Sequence, residues 1–191
     1  APVNLYVCTK QMGEKIFLKA NDRTACRFGV IRYGNILGSN GSVVEKWKSN
    51  SNSYVVDAYR FWISKHNAAE IIAYVAENFE SGEIAIAKTF SSDVKLLYNY
   101  VAGKKPTAYG SLTKGERRVE YLMSEHEGGV IFCDREVMWM LPDGEDSPSY
   151  GMREEQFIEA HPPGNYDSYS NPRRVMTDTD FDREVAGAIP R

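Results

Sequence analysis

Between two helical patterns lies a short, mostly apolar run, Arg27-Phe28-Gly29-Val30-Ile31-Arg32-Tyr33, that leads into Gly34-Asn35-Ile36-Leu37-Gly38-Ser39-Asn40-Gly41-Ser42. A strand this apolar is buried on both faces, as strands of parallel sheets covered by helices are. The Gly/Asn/Ser-rich stretch after it reads as a loop. The flanks agree with that picture. Leu5, Cys8, Met12, Ile16 and Phe17 recur at helical spacing and predict a helix over 5–20 with Asn4 as its cap. Ala68, Ile71, Ile72, Val75 and Phe79 predict a second helix over 67–79. A short helix is expected over 43–48, a polar turn over 49–53, a strand over 83–88 and a helix over 93–101 closed by Gly103. A weaker helical pattern covers 115–123. Residues 130–133 and 136–141 read as two short strands or one bulged strand, and 142–191 as an extended tail with short helices near 153–160 and 177–186. Alternating strands and helices make this an α/β chain.

Composition narrows the function classes. A net charge of −3 with no basic stripe gives no sign of a nucleic-acid partner. No apolar run reaches the length of a membrane span. The first residues, Ala1-Pro2-Val3-Asn4, have neither a basic nor an apolar leader segment. Cys8, Cys26 and Cys133 are odd in number and widely spaced, which fits a reducing, cytoplasmic compartment better than a disulfide framework. His66, His126 and His161 share no metal-ligand spacing with any cysteine, so no metal site is expected. The region of Tyr121, Met138 and Trp139 reads as core. The sequon Asn40-Gly41-Ser42 is too short a match to carry an assignment.

Chemistry enters at Tyr6 and Lys10. Four positions are slightly more than one helical turn, so both side chains lie on one face. A tyrosine phenol with its ordinary pKa of about 10 is a poor base near neutrality. A neighbouring ammonium favours the phenolate. The pair can then exchange a proton with a substrate hydroxyl. The same spacing also occurs as a plain surface pair.

The surroundings of that pair carry a resemblance. Pro2-Val3-Asn4-Leu5-Tyr6, Thr9-Lys10 and Gly13-Glu14-Lys15 resemble the active-site helix of extended short-chain dehydrogenase/reductases. Arg27 to Val44 resembles the strand and loop that follow it. Tyr59-Arg60-Phe61-Trp62-Ile63, Gly82-Glu83-Ile84 with Lys88, Gly115-Glu116 with Glu120, and Tyr166-Asp167-Ser168-Tyr169-Ser170-Asn171-Pro172 are similar to successive segments of one subgroup. That subgroup is the polysaccharide-biosynthesis family, which includes the inverting UDP-N-acetylglucosamine 4,6-dehydratases.

The resemblance implies the C-terminal part of a Rossmann-type NAD(P)-binding fold in residues 1–48, a small mixed α/β substrate-binding lobe in 49–141 and a tail in 142–191. It implies NAD or NADP as cofactor and a nucleotide-diphosphate sugar as ligand. Tyr6 and Lys10 would be the base and its helper, and would also bind the cofactor, with Lys10 on the nicotinamide ribose. Tyr33 and Asn35 would lie where nicotinamide and sugar diphosphate meet. Asn35 would also bind phosphate or sugar, as would backbone amides around Gly41, Ser42 and Val43. Arg60 would pair with the diphosphate, and Glu116 would accept from the ribose hydroxyls. By themselves these features also have plainer readings: a turn, a stacked arginine and a solvated charged run.

Two departures qualify the resemblance. No Gly-x-x-Gly-x-x-Gly occurs, nor the Asp-Lys pair that precedes the active-site tyrosine in the dehydratases. In the late motif Thr113-Lys114 stands where the family has Arg-Pro, and Val119 where it has His. The chain is therefore expected to be one portion of a nucleotide-sugar dehydratase or epimerase that needs an N-terminal half for activity. A non-catalytic nucleotide-sugar-binding or structural subunit is the alternative. A strand at 27–33 lacking its parallel neighbours is expected to pair with that half or to self-associate.

Overall fold

The computed structural model describes residues 4–49, 54–87, 89–123, 130–133, 137–141 and 159–161. In chain order the elements are α1 (Leu5–Ala20), β1 (Val30–Arg32), β2 (Asn35–Leu37), α2 (Val43–Ser49), β3 (Tyr54–Val56), β4 (Tyr59–Ser64) and α3 (Lys65–Asn78). They continue with β5 (Ile84–Ala87), β6 (Phe90–Asp93), α4 (Val94–Ala102), β7 (Ala108–Gly110), β8 (Val130–Cys133), β9 (Val137–Leu141) and β10 (Glu159–His161). Two compact units divide the chain, and their segments alternate. The first draws on Ala1–Arg32, Ile71–Lys88 and Leu122–Asn171, the second on Tyr33–Glu70, Thr89–Tyr121 and Pro172–Arg191.

The first unit is built on a five-stranded sheet of order β1-β5-β9-β8-β10. β1 and β5 are parallel, with Val30 opposite Ile84, and the remaining pairs are antiparallel. All four residues of β5 are buried, which is why Ile84-Ala85-Ile86-Ala87 shows no polar alternation. Ile84 and Ile86 lie opposite Met140 and Met138, and this face packs with Leu18 of α1. Ala85 lies opposite Trp139 on the other face, where the Tyr74 ring of α3 stands 6.4 Å from the indole. Helices thus cover both faces. Among the described residues β1 is an edge strand.

The second unit holds the sheet β2-β4-β6 and the parallel pair β3-β7. β4 runs parallel to β2 and antiparallel to β6. Leu37, Val44, Trp47, Val55, Trp62, Leu97 and Tyr98 form its core, with Trp47 and Tyr98 edge to face at 5.3 Å. α4 starts on the Asp93 carboxylate, which accepts from the Lys95 amide at 2.8 Å, and stops at Gly103 with φ 64°.

Several expectations need correction. The strand expected over 27–33 begins only at Val30; before it, the Phe28 amide donates to the Asn21 side chain, and the Phe28 carbonyl accepts from both the Asn21 side chain and the Gly82 amide. The loop over 34–42 contains β2, and β4 and β6 were not anticipated. No helix forms within 115–123. There the carbonyl of Arg118 accepts from the Tyr59 amide and those of Arg117 and Arg118 accept from Arg60, so they serve β4 rather than a helical turn. Val119 bridges Tyr59. Tyr121 is exposed, whereas Met138 and Trp139 are core. Residues 130–133 and 137–141 are two strands, paired with each other. Glu159–His161 is a strand where a helix near 153–160 was expected; the rest of that helix, the one near 177–186 and the tail motif at 166–172 lie outside the described residues. The helix over 5–20 has the expected bounds, and Asn4 caps it by accepting from the Val7 amide at 2.9 Å.

Candidate functional site

In the second unit, Asn35, Arg60 and Glu116 meet in one cluster although they come from three separate stretches of sequence. Arg60 sits on β4 opposite Ser92 and is 8% exposed. Its guanidinium carries five donor hydrogens. Nη1 donates to the carbonyls of Tyr59 (2.9 Å), Arg117 (3.0 Å) and Arg118 (3.4 Å). Nη2 stands 3.6 Å from Glu116 Oε1, and Nε 3.2 Å from Glu120 Oε1. One buried cation therefore faces two partly exposed carboxylates.

The two carboxylates differ. Glu116 closes a turn through Gly115, whose φ is +86°. Its Oε2 accepts from the Thr113 amide at 2.8 Å and the Thr113 hydroxyl at 2.7 Å. Those bonds, the amide first, with Arg60 assisting, hold its pKa below the usual glutamate value. Glu120 has no such turn. Loss of hydration pushes its pKa up, Arg60 and the hydrogen bond from Asn35 oppose that, and Glu116 adds to it. Asn35 also donates from Nδ2 to the Phe61 carbonyl at 3.1 Å. Its position depends on Gly34, where an added Cβ would lie 2.4 Å from the Phe61 carbonyl carbon. Beside the cluster, Asp57 accepts from Lys95 and pairs with Arg118 at 2.7 Å.

The loop residues occupy simpler surroundings. Gly41, at φ +71°, donates its amide to the Glu45 carboxylate at 2.8 Å. The Ser42 amide bonds the Ser39 carbonyl at 2.9 Å, and its buried hydroxyl has no partner among the described residues. Val43 opens α2 and is 37% exposed. Tyr33 is half-buried and directly follows β1.

In the first unit, Tyr6 and Lys10 share one side of α1. The Lys10 Nζ lies over the Tyr6 ring, 5.5 Å from its centroid, and Tyr6 is 69% exposed. α1 is fastened to β1 by a fork between Glu14 and Arg32, whose Nε donates to Glu14 Oε2 at 3.0 Å. Arg32 also donates to the Leu122 carbonyl at 3.1 Å. A phenol and an ammonium presented together suit hydroxyl groups of a ribose and a sugar. The fit to a nicotinamide dinucleotide extends no further, because no glycine-rich phosphate turn is present in the sequence.

Sequence reasoning placed Glu120 in a motif but gave it no role. No local spacing signals that role, because the 115–123 segment is not helical. Cys8 and Cys26 are free thiols. Among the described residues no group of three His, Cys, Asp or Glu could hold a metal ion, and no helix is long and apolar enough to cross a membrane.

Comparisons with known proteins come from sequence and from structure. The model of the family described as polysaccharide biosynthesis protein matches residues 1–132. An inverting UDP-N-acetylglucosamine 4,6-dehydratase of Campylobacter jejuni is 31% identical over 141 residues, which are 69% of this chain and 42% of that enzyme. A UDP-glucose 4-epimerase of Rickettsia bellii is 27% identical over 139 residues, 66% of this chain and 41% of the enzyme. The chain thus spans about two fifths of these relatives. Among solved structures, Pen from Bacillus thuringiensis superposes with a TM-score of 0.66 at 20% identity, over 74% of this chain and 49% of that one, which is a likeness of fold.

Proposed function

Since the chain belongs to the polysaccharide biosynthesis protein family, we propose that it forms the sugar-nucleotide-binding portion of an NAD(P)-linked enzyme that dehydrates or epimerises a UDP-sugar. The observation that carries this reading is the convergence of Asn35, Arg60 and Glu116 on one cluster. The family resemblance implies all three as partners of the nucleotide sugar. Arg60 and Asn35 supply donors to the diphosphate, and Glu116 accepts from the ribose. The Gly41 amide is a further phosphate donor once Glu45 yields.

Tyr6 takes the proton of a sugar hydroxyl, and Lys10 binds the nicotinamide ribose. Tyr33 borders the nicotinamide. When bound, the nicotinamide supplies the hydride acceptor. The groups that bind the dinucleotide phosphates, and an Asp-Lys acid–base pair, are to be supplied by a partner half, with the β1 edge as the place where its parallel strand adds. A second copy of the chain is the other candidate for that edge. The expected setting is the cytoplasm.

The test mixes the chain with UDP-N-acetylglucosamine and NADP, with and without a half carrying a glycine-rich turn and Asp-Lys. A 4-keto product is expected only with both parts, and Tyr6→Phe should lower its rate by about 10²–10⁴-fold. No product with both parts present would leave a nucleotide-sugar-binding or structural subunit.

A further inference from the structure

We propose that Glu120 is an internal counter-anion that holds the ligand face of Arg60 and must leave before a diphosphate can pair there. The proposal rests on the reading of Arg60 as a phosphate partner. Of the five donor hydrogens of Arg60, those on Nη1 go to backbone carbonyls that tie the 117–118 segment to β4. Only Nε and Nη2 face anions, and both face carboxylates of this chain. A diphosphate can therefore gain the Nε side of Arg60 only by exchange with Glu120.

Glu120 is the carboxylate that yields. Glu116 is anchored by two bonds to Thr113 and stands farther off, at 3.6 Å. Glu120 is held by Arg60 from β4 and Asn35 from β2, is repelled by Glu116, and its side chain keeps 46% exposure, which leaves it a way out to water. Asn35 would be released by the same movement, so one displacement frees two donors for the ligand.

Competition of this kind is linked to protons. With a diphosphate on Arg60, Glu120 loses its cation and gains an anionic neighbour, so protonation of Glu120 becomes easier. Binding then takes up a proton, and affinity rises as pH falls towards the Glu120 pKa, which is raised even without ligand.

The experiment is calorimetric titration of the chain with UDP-glucose at pH 7.5 and pH 5.0. Its diphosphate is a diester and stays ionised at both values. Wild-type protein is expected to bind about tenfold tighter at the lower pH, with net proton uptake when two buffers of different ionisation heat are compared. Glu120→Gln should bind about tenfold tighter than wild type at pH 7.5 and lose the pH dependence. Equal or weaker binding by a folded Glu120→Gln would overturn the proposal while sparing the reading of the site. If that variant does not fold, the wild-type comparison decides, and a flat affinity without proton uptake overturns it. Failure of UDP-glucose to bind either protein at either pH would remove the site assignment along with it.

Discussion

Replacing Gly34 with alanine probes the contact that sets Asn35 beside Arg60. The new Cβ would lie 2.4 Å from the carbonyl carbon of Phe61, 2.5 Å from its Cβ and 2.5 Å from its oxygen. Phe61 is 2% exposed on the central strand of a three-stranded sheet, so neither its backbone nor β2 can yield without breaking ladder bonds. Overpacking of a rigid site costs about 1–3 kcal/mol, and three contacts with backbone and Cβ place this one near 3 kcal/mol. Gly13→Ala is the control. No atom lies within 4 Å of the added methyl on α1, so that change should stabilise by about 0.5–1 kcal/mol. Urea unfolding followed by tryptophan fluorescence measures both, since Trp47 and Trp62 belong to the core of the unit that holds Gly34, and buried Trp139 belongs to the unit that holds Gly13. With a slope of about 2 kcal/mol per M, Gly34→Ala should lower the midpoint by roughly 1.5 M. A midpoint within about 0.3 M of wild type would refute the argument from close approach.

Other perturbations have equally definite outcomes. Glu14→Gln leaves Arg32 charged and poorly hydrated beneath α1, where the side chains of the pair are 13% and 16% exposed. It should cost about 2 kcal/mol and speed amide exchange along α1 as read by mass spectrometry. Tyr98→Phe removes a buried hydroxyl that has no partner among the described residues and should leave stability unchanged or raise it by about 1 kcal/mol in thermal melts. Glu116 has a folded pKa below its unfolded value, so its stabilisation is present above the unfolded value and fades as pH falls through the folded one. Urea midpoints taken downward from pH 6 should therefore fall less steeply in Glu116→Gln than in wild type.

The helices were legible because each has a local signature. Asn4 caps α1, Asp93 and Gly103 bracket α4, and the apolar spacing of α3 survives inspection by eye. β5 was legible from the alternation over 83–88, although its four residues are in fact all buried. β2 and β6 were not, since strands of three and four residues rich in Asn and Ser look like loops until β4 pairs with them. The 115–123 segment misled because its apolar spacing is helical, whereas its carbonyls are claimed by Arg60 and Tyr59, residues more than fifty positions away. Arg60, Asn35 and Glu116 could be named from motif resemblance. That Glu120 shares their arginine depends on the path of the 113–120 segment across β4, which no local pattern encodes.

Hydrogen exchange of the chain with and without UDP-N-acetylglucosamine tests most directly whether this cluster is a sugar-nucleotide site. The account predicts slowed exchange in peptides covering 33–37, 59–64 and 113–120, and loss of that protection in Arg60→Ala. Unchanged exchange in those three peptides at saturating ligand, or protection confined to other segments, would contradict it.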